Sequence, residues 1–136
     1  MYSMITTTNS QKIFNPIGPY STAIKIENLI FISGQISNVV DDNDSNNNVI
    51  IQTKNILNNI KIILKKYNVG VKNIIKTTVF ITNLEHLNVV NNVYKKFFLE
   101  HHSNQFPTRS CVEVSKLPNN ALIEIESIAY KKCNLL

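Results

Sequence analysis

Apolar and polar residues alternate loosely in the first third of the chain, and this pattern predicts strands. Residues 21–27 (STAIKIE) and 29–36 (LIFISGQI) predict a hairpin that turns at Asn28, and the second segment has the β-branched and aromatic content of a buried strand. Residues 10–14 (SQKIF) predict an edge strand. The segment 39–48 (VVDDNDSNNN) is polar and has no apolar spacing, so we expect a surface loop there.

The apolar spacing becomes helical after that loop. A first helix is predicted from about Ile50 to Tyr67, with Gly70 as its stop, and a second helix follows Asn83, whose side chain can cap it. The apolar residues that we expect to face the core are Ile56, Leu57, Ile60, Ile63, Leu64 and Tyr67 in the first helix and Leu84, Leu87, Val90, Tyr94, Phe97 and Phe98 in the second.

Residues 74–82 (IIKTTVFIT), 108–114 (TRSCVEV) and 121–130 (ALIEIESIAY) predict three further strands, the last two forming an antiparallel hairpin. The helix between residues 29–36 and 74–82 can make those two strands parallel. The order β-β-β-α-β-α-β-β then predicts a single α+β domain over residues 1–136, with a mixed sheet and two helices on one face. The other face is left bare and partly apolar, which favours self-association.

Composition and charge exclude several classes of protein. The net charge is +5, but the lysines are scattered over the polar sides of predicted helices and the tail without interleaved aromatic residues, so RNA binding is unsupported. Two cysteines make no disulfide framework, and a reducing compartment is the simpler interpretation. There is no secretory start and no apolar run of about 18 residues, so we expect a cytoplasmic protein that does not bind membranes.

Arg109 is the single arginine among 14 lysine and arginine residues, and it opens a predicted strand just after Pro107. A guanidinium offers a planar fork of donors that holds a carboxylate or phosphate through two hydrogen bonds, whereas an ammonium is a point charge. The residue types alone leave an alternative of equal weight. It is a structural ion pair with one of three acidic residues, Glu113, Glu124 or Glu126.

Three further side chains allow chemistry beside that arginine. Glu124 and Glu126 share one face of the last strand, where either could orient a water near a substrate, although a solvated face is the commoner role of such a pair. Cys111 shares a face with Arg109, and a nearby cation can lower a thiol pKa, so a nucleophilic thiolate is an alternative. No spacing of His, Cys and Glu residues matches a metal site.

Two positions near the first hairpin could also contact a ligand. Gly34 follows Ser33 at the end of a predicted buried strand, where a missing side chain lets a ligand or another chain approach or simply marks a β-bulge. Tyr20 places a phenol on a Pro/Gly-punctuated loop, where packing is the alternative role. The residues alone therefore indicate an oligomeric α+β enzyme or binding domain, and they allow a small-acid site.

Several blocks of sequence resemble the RidA/YjgF family of enamine/imine deaminases, also described as the L-PSP endoribonuclease family. The resemblance runs from about residue 10 to residue 131, with the blocks in the family's order and spacing. The blocks are IGPYS (17–21), FISGQI (31–36), IIKTTVFITNL (74–84), VNNVYKKFF (90–98), FPTRSCVEVSKLP (106–118) and IEIESIA (123–129).

This resemblance implies both an architecture and an activity. The implied fold is a chorismate-mutase-like, two-layer α+β domain that forms homotrimers around a central barrel, with binding clefts between subunits. The implied reaction is the hydrolysis of 2-imino and enamino acids, such as 2-aminoacrylate, to 2-keto acids and ammonia. It needs neither a metal nor another cofactor, because an imine carbon is already electrophilic.

By position, the resemblance also implies roles for individual residues. Arg109 matches the arginine that binds the substrate carboxylate, and Glu124 matches the glutamate that positions the attacking water. Cys111 matches a position whose backbone, rather than its thiol, contacts the ligand. The remaining matches are cleft residues: Asn91 and, from the neighbouring subunit, Tyr20, Ser33 and Gly34.

Two other functions remain as alternatives. Some members of the family are described as endoribonucleases that inhibit translation, and a third interpretation is a non-catalytic protein that binds small acids. The loop after FISGQI is rich in Asn and Asp and lacks the Pro and Gly usual in the family, so the shape of that loop and access to the cleft are left open.

Overall fold

Six strands form one mixed sheet, and two helices cover one of its faces. The computed structural model describes residues 5–6, 16, 18–37, 45–103 and 105–133, so the predicted edge strand at 10–14 lies outside the described residues. The two-layer α+β prediction is confirmed. The elements are β1 Ile5–Thr6, β2 Ala23–Ile26, β3 Leu29–Gln35, α1 Ser45–Lys65, β4 Ile74–Ile81, α2 Leu87–Glu100, β5 Thr108–Glu113 and β6 Ile123–Tyr130.

Strand β6 lies in the middle of the sheet and defines its two faces. Ile123 and Ile125 are fully buried beneath the helices, on what we call the helix face, while Glu124 and Glu126 point to the opposite, open face. The spatial order is β1-β2-β3-β6-β4-β5, in which only the β4–β5 pair is parallel. Strands β3 and β4 run parallel as predicted, but β6 separates them.

The prediction that the last two strands form a hairpin is wrong. Strand β5 pairs in parallel with β4, with Thr77 opposite Arg109, and β6 inserts between β3 and β4 instead of pairing with β5. The burial of the two strands explains why β6 lies inside the sheet and β5 at its edge. β6 carries an unbroken row of buried side chains that suits the centre of the sheet, whereas most side chains of β5 are exposed, as at an edge.

The predicted core of the first helix is confirmed, because all six of its apolar positions are buried. In α2, Val90, Tyr94 and Phe98 are buried and Phe97 is partly buried, but Leu84 is exposed. Leu84 lies in a 3₁₀ turn, Leu84–His86, that precedes α2, so it does not follow the α-helical spacing that predicted its burial. Neither described helix is long and apolar enough to cross a membrane.

The helix ends differ from the prediction in three places. Asn83 does cap a helical turn, since its Oδ1 accepts a hydrogen bond from the Glu85 N–H at 2.9 Å, but the turn is the 3₁₀ turn before α2 and not α2 itself. However, α1 begins at Ser45, within the predicted loop, because a polar first turn makes no apolar pattern that could reveal it. Asn68, with φ of 57°, takes the left-handed conformation after α1, while Gly70 has φ of −117° and does not act as the stop.

The open face of the sheet carries apolar side chains that no described element covers. They alternate with the buried residues of the same strands, as the prediction of a bare face required. A depression of about 270 Å³ lies on this face, lined in part by Phe31, Lys76 and Glu126. The exposed apolar residues are Ile26, Leu29, Phe31, Val112 and Tyr130.

Phe98→Ala should lower the free energy of unfolding by about 3–5 kcal/mol, because its ring is fully buried and contacts the ring of Tyr94 at a centroid distance of 4.6 Å. Leu99→Ala is the matched control: its side chain is 53% exposed, and we expect a change within about 0.5 kcal/mol. Urea denaturation at one protein concentration measures both variants. Equal losses would contradict the placement of α2.

Candidate active site

The residues that the sequence singled out fall into two groups on opposite faces of the sheet. Arg109 and Cys111 lie on β5 in register with the buried residues Thr77 and Val79 of β4, so they occupy the helix face. Glu124 lies on the open face. We call the groups the arginine half-site (Arg109, Cys111, Asn91, Tyr94) and the glutamate half-site (Glu124, Gly34, Ser33, Tyr20).

In the arginine half-site, the Arg109 guanidinium lies over an aromatic ring. Its central carbon is 4.9 Å from the ring centroid of Tyr94, which projects from α2. The ring is only 5% exposed, whereas Arg109 is an exposed residue. The arrangement is a cation–π contact in which a fixed ring supports a cation that faces solvent.

The alternative of a structural ion pair for Arg109 fails within the described part of the chain, where the arginine makes no ion pair. Glu113 instead accepts a hydrogen bond from the Leu84 N–H at 3.0 Å, which fixes the start of the 3₁₀ turn. Glu124 and Glu126 are on the other face of the sheet. The guanidinium donors are therefore left for an anion from elsewhere.

The phenol of Tyr94 is held at its far end. Its hydroxyl is 2.8 Å from the Thr77 hydroxyl, and both side chains are buried. Burial raises the pKa of Tyr94, while the hydrogen bond to Thr77 and the charge of Arg109 act in the lowering direction. The ring beneath the guanidinium is thus a neutral phenol.

Cys111 and Asn91 complete the arginine half-site. Burial raises the pKa of the Cys111 thiol, and the opposing effect of Arg109 is smaller, so the thiol does not have the lowered pKa that the nucleophile hypothesis required. Asn91 lies one turn before Tyr94 on α2. Its side-chain Oδ1 is buried and has no hydrogen-bond partner among the described residues, so it is available to a ligand donor.

In the glutamate half-site, the Glu124 side chain lies directly over Gly34. A Cβ atom built on Gly34 would overlap Oε1 of Glu124 and lie 2.8 Å from its Cδ. The register of β3 and β6 shifts between Ile32 and Gln35, so Gly34 sits in a β-bulge. The bulge interpretation of this glycine is confirmed, and the group that approaches its backbone closely is a carboxylate of the same chain. Approach by a ligand or another chain stays a prediction.

Ser33 lies next to Gly34 in the bulge, and Tyr20 precedes strand β2, which pairs with β3. The Ser33 hydroxyl donates to the Ser21 carbonyl at 2.6 Å, and the Ser33 N–H donates to the Thr22 carbonyl at 2.9 Å. These bonds tie the bulge to the segment that follows Tyr20, whose phenol is exposed. The structure therefore gathers Tyr20, Ser33 and Gly34 on one side of the molecule.

The pKa of Glu124 is raised above its ordinary value. Burial is the larger cause, and repulsion from the neighbouring carboxylate of Glu126 adds to it. A glutamate whose pKa lies nearer to neutral pH is a better proton donor and acceptor than an ordinary one. Of the two glutamates, which alternation could not distinguish, Glu124 has the environment of a general acid–base group.

A single chain keeps the two half-sites apart. Arg109 and Glu124 are separated by one intervening strand and three positions of register, or about 10 Å in each direction, and they point to opposite faces. The sequence resemblance implied that Tyr20, Ser33 and Gly34 come from a neighbouring subunit. The structure places Glu124 with that group instead of with Arg109.

Sequence reasoning missed Tyr94 and Thr77 as parts of the site. The helical spacing identified Tyr94 only as a core residue, and its hydroxyl was the one hint that it had a polar partner. The position of Thr77 beside Arg109 depends on the parallel β4–β5 pairing, which the predicted hairpin excluded. Among the described residues, no cluster of three His, Cys, Asp or Glu side chains could hold a metal ion.

Comparison with known proteins gives a consistent match over nearly the whole chain. The family model described as Endoribonuclease L-PSP matches residues 10–131. A RutC family protein of Buchnera aphidicola subsp. Baizongia pistaciae is 55% identical over 128 residues, covering 94% of this chain and 98% of that protein.

Two Escherichia coli proteins extend the comparison. The 2-iminobutanoate/2-iminopropanoate deaminase of strain K12 is 40% identical over 116 residues, which cover 85% of this chain and 90% of that protein. The crystal structure of TdcF with bound serine superposes with a TM-score of 0.78 at 37% identity, covering 90% of this chain and 100% of the other.

Glu126→Gln should lower the pKa of Glu124 without returning it to the ordinary range, because the substitution removes the smaller cause of the shift and leaves burial in place. Side-chain carboxyl chemical shifts, followed by NMR as a function of pH, measure Glu124 in both proteins. Glu113→Gln, on another strand, is the control and should leave the Glu124 titration unchanged. A Glu124 pKa in the ordinary range in the unsubstituted protein would contradict its assigned environment.

Proposed function

The chain belongs to the Endoribonuclease L-PSP family, and we propose that it hydrolyses reactive 2-imino and enamino acids, such as 2-aminoacrylate, to 2-keto acids and ammonia. The observation that carries the proposal is the state of Arg109: a forked cation, supported by Tyr94 and without an ion pair in the described part of the chain. A relative at 40% identity with a deaminase name supports the same reaction.

Arg109 binds the substrate carboxylate through two parallel hydrogen bonds. This contact fixes the orientation of a small molecule that has few other groups to hold. We expect the rest of the substrate to contact the backbone at Cys111, two residues along β5 from Arg109, and the unpaired oxygen of Asn91, one turn before Tyr94 on α2. The TdcF structure contains bound serine, a small molecule that carries a carboxylate, as the proposed substrates do.

Glu124 acts on the water that attacks the imine. The enamine first tautomerises to the imine, and water held by Glu124 adds to the carbon of the C=N bond. The carboxylate accepts a proton from this water and gives it to the imine nitrogen, which forms a carbinolamine. The same carboxyl group then transfers the proton of the new hydroxyl to the amino nitrogen, so the C–N bond breaks, ammonia leaves and a keto group remains. The raised pKa of Glu124 favours both proton transfers. The reaction as written needs no metal or cofactor, because the imine carbon is already electrophilic.

Both half-sites contribute to one active site only if two copies of the chain meet. The glutamate half-site of one subunit, with Tyr20, Ser33 and Gly34, then faces the arginine half-site of the next. The apolar open face provides the surface on which copies associate, and a homotrimer around a central barrel satisfies both requirements.

A coupled assay tests the reaction. A serine dehydratase generates 2-aminoacrylate, and the chain should accelerate the appearance of pyruvate. Arg109→Ala should reduce kcat/KM by about 30- to 5,000-fold, and Arg109→Lys should lose nearly as much, because the planar fork is lost in both. Lys95→Ala, which removes an exposed cation from α2, is the control.

Three results, from this assay or from parallel tests of RNA cleavage and 2-keto acid binding, would reject the proposal. Near-normal turnover by Arg109→Lys would reject the carboxylate contact. Cleavage of RNA that survives Arg109→Ala, without pyruvate release, would indicate a ribonuclease. Binding of 2-keto acids without any acceleration would indicate a non-catalytic binder.

Mixed oligomers test the shared site. Arg109→Ala and Glu124→Gln should each be inactive alone, but unfolding and refolding an equal mixture should restore about one quarter of the sites, because one copy then supplies the arginine and its neighbour the glutamate. Activity in the same assay, with sedimentation to establish the oligomer, measures the recovery. A mixture that stays as inactive as its parents would show that both residues must come from one chain.

A further inference from the structure

The support under Arg109 is built from three elements. Tyr94 projects from α2, its hydroxyl is paired with Thr77 on β4, and Thr77 is the register partner of Arg109 on β5. Phe98, one turn further along α2, packs against the Tyr94 ring at 4.6 Å between centroids. The ring is therefore held by its attachment to α2, by the Phe98 ring and by the hydrogen bond of its hydroxyl, independently of its contact with the guanidinium.

An aromatic ring and a carboxylate hold an arginine in different ways. A carboxylate would orient the guanidinium but also neutralise it and occupy its donors. A neutral ring attracts the cation through its quadrupole, without supplying a counter-charge. Arg109 is thus restrained and still requires an anion. This matters because a long arginine side chain otherwise loses considerable rotamer freedom when it binds a ligand.

We propose that Tyr94 is a positioning residue whose ring pre-organises Arg109 for a small carboxylate. The inference rests on the proposed function only in the identity of the anion, a 2-imino or 2-keto acid. It also adds a reason to expect that a lysine cannot replace Arg109, because an ammonium would lose both the planar fork and the broad contact with the ring.

Because the chain has one arginine, its side chain can be observed directly. Selective labelling with ¹³C,¹⁵N-arginine gives a single set of side-chain NMR signals, and the Tyr94 ring current should shift the Arg109 signals upfield. The shift should disappear in Tyr94→Leu and persist in Tyr94→Phe. Phe97→Leu is the matched control, because it removes a partly buried ring from the same helix that packs against Phe98 and His101 rather than against Tyr94, and it should keep the shift.

Function is measured with pyruvate as the probe. By calorimetry, Tyr94→Leu should weaken pyruvate binding by about 2- to 30-fold, the range of a cation–π contact, while Tyr94→Phe and Phe97→Leu stay within about threefold. In the coupled assay, Tyr94→Leu should raise KM by a similar factor and change kcat little, because the group that acts on water is untouched. A general loss of folding would instead lower the active fraction and leave KM unchanged.

The outcomes separate the two proposals. Unshifted Arg109 signals in the unsubstituted protein, or unchanged pyruvate affinity in Tyr94→Leu, would overturn the role of Tyr94 and leave the deaminase proposal standing. Shifted signals in a protein that binds neither pyruvate nor any other 2-keto acid would overturn the carboxylate site itself. Loss of the shift together with weaker binding, confined to Tyr94→Leu, is the expected result.

Discussion

A cation that is held in place but not neutralised is the feature on which the candidate site depends. Arg109 lies over a buried, neutral phenol and makes no ion pair within the described residues. Most arginines in folded proteins are either solvated and mobile or paired with a carboxylate. The third state, restrained and unpaired, is suited to capture of a small anion, because the side chain is already ordered and its charge is still unmet.

The alternation of side chains along a strand keeps this cation unpaired. Glu124 and Glu126 lie one strand away from β4 but point to the open face, so they cannot reach Arg109, and Glu113 is engaged at the start of the 3₁₀ turn. Under the proposed function, the same geometry makes one chain incomplete as an enzyme, since Glu124 and Arg109 face opposite directions. Association of copies through the open face would bring them together and would also remove apolar surface from water.

Glycine and burial shape the other half of the site. Gly34 leaves room for the Glu124 carboxylate against the backbone of the bulge, and this partial burial raises its pKa. A residue with a Cβ at position 34 would displace the carboxylate towards solvent, where its pKa would return towards its ordinary value. In the proposed reaction, the β-bulge thus tunes the pKa of the proton-transfer group, and bulges are often found beside active sites.

The sequence by itself determined the elements that depend on local periodicity: the buried stripe of α1, the Asn83 cap, the hairpin of β2 and β3, and the choice of Arg109 as the forked cation. Tertiary structure decided what depends on strand order and on faces. Only the parallel pairing of β5 with β4 placed Thr77 and Tyr94 around Arg109, and only the central position of β6 turned Glu124 away from it and over Gly34. The physical reason is that spacing along a chain fixes which side chains share a face, whereas the neighbour across a sheet is chosen by burial of the whole strand.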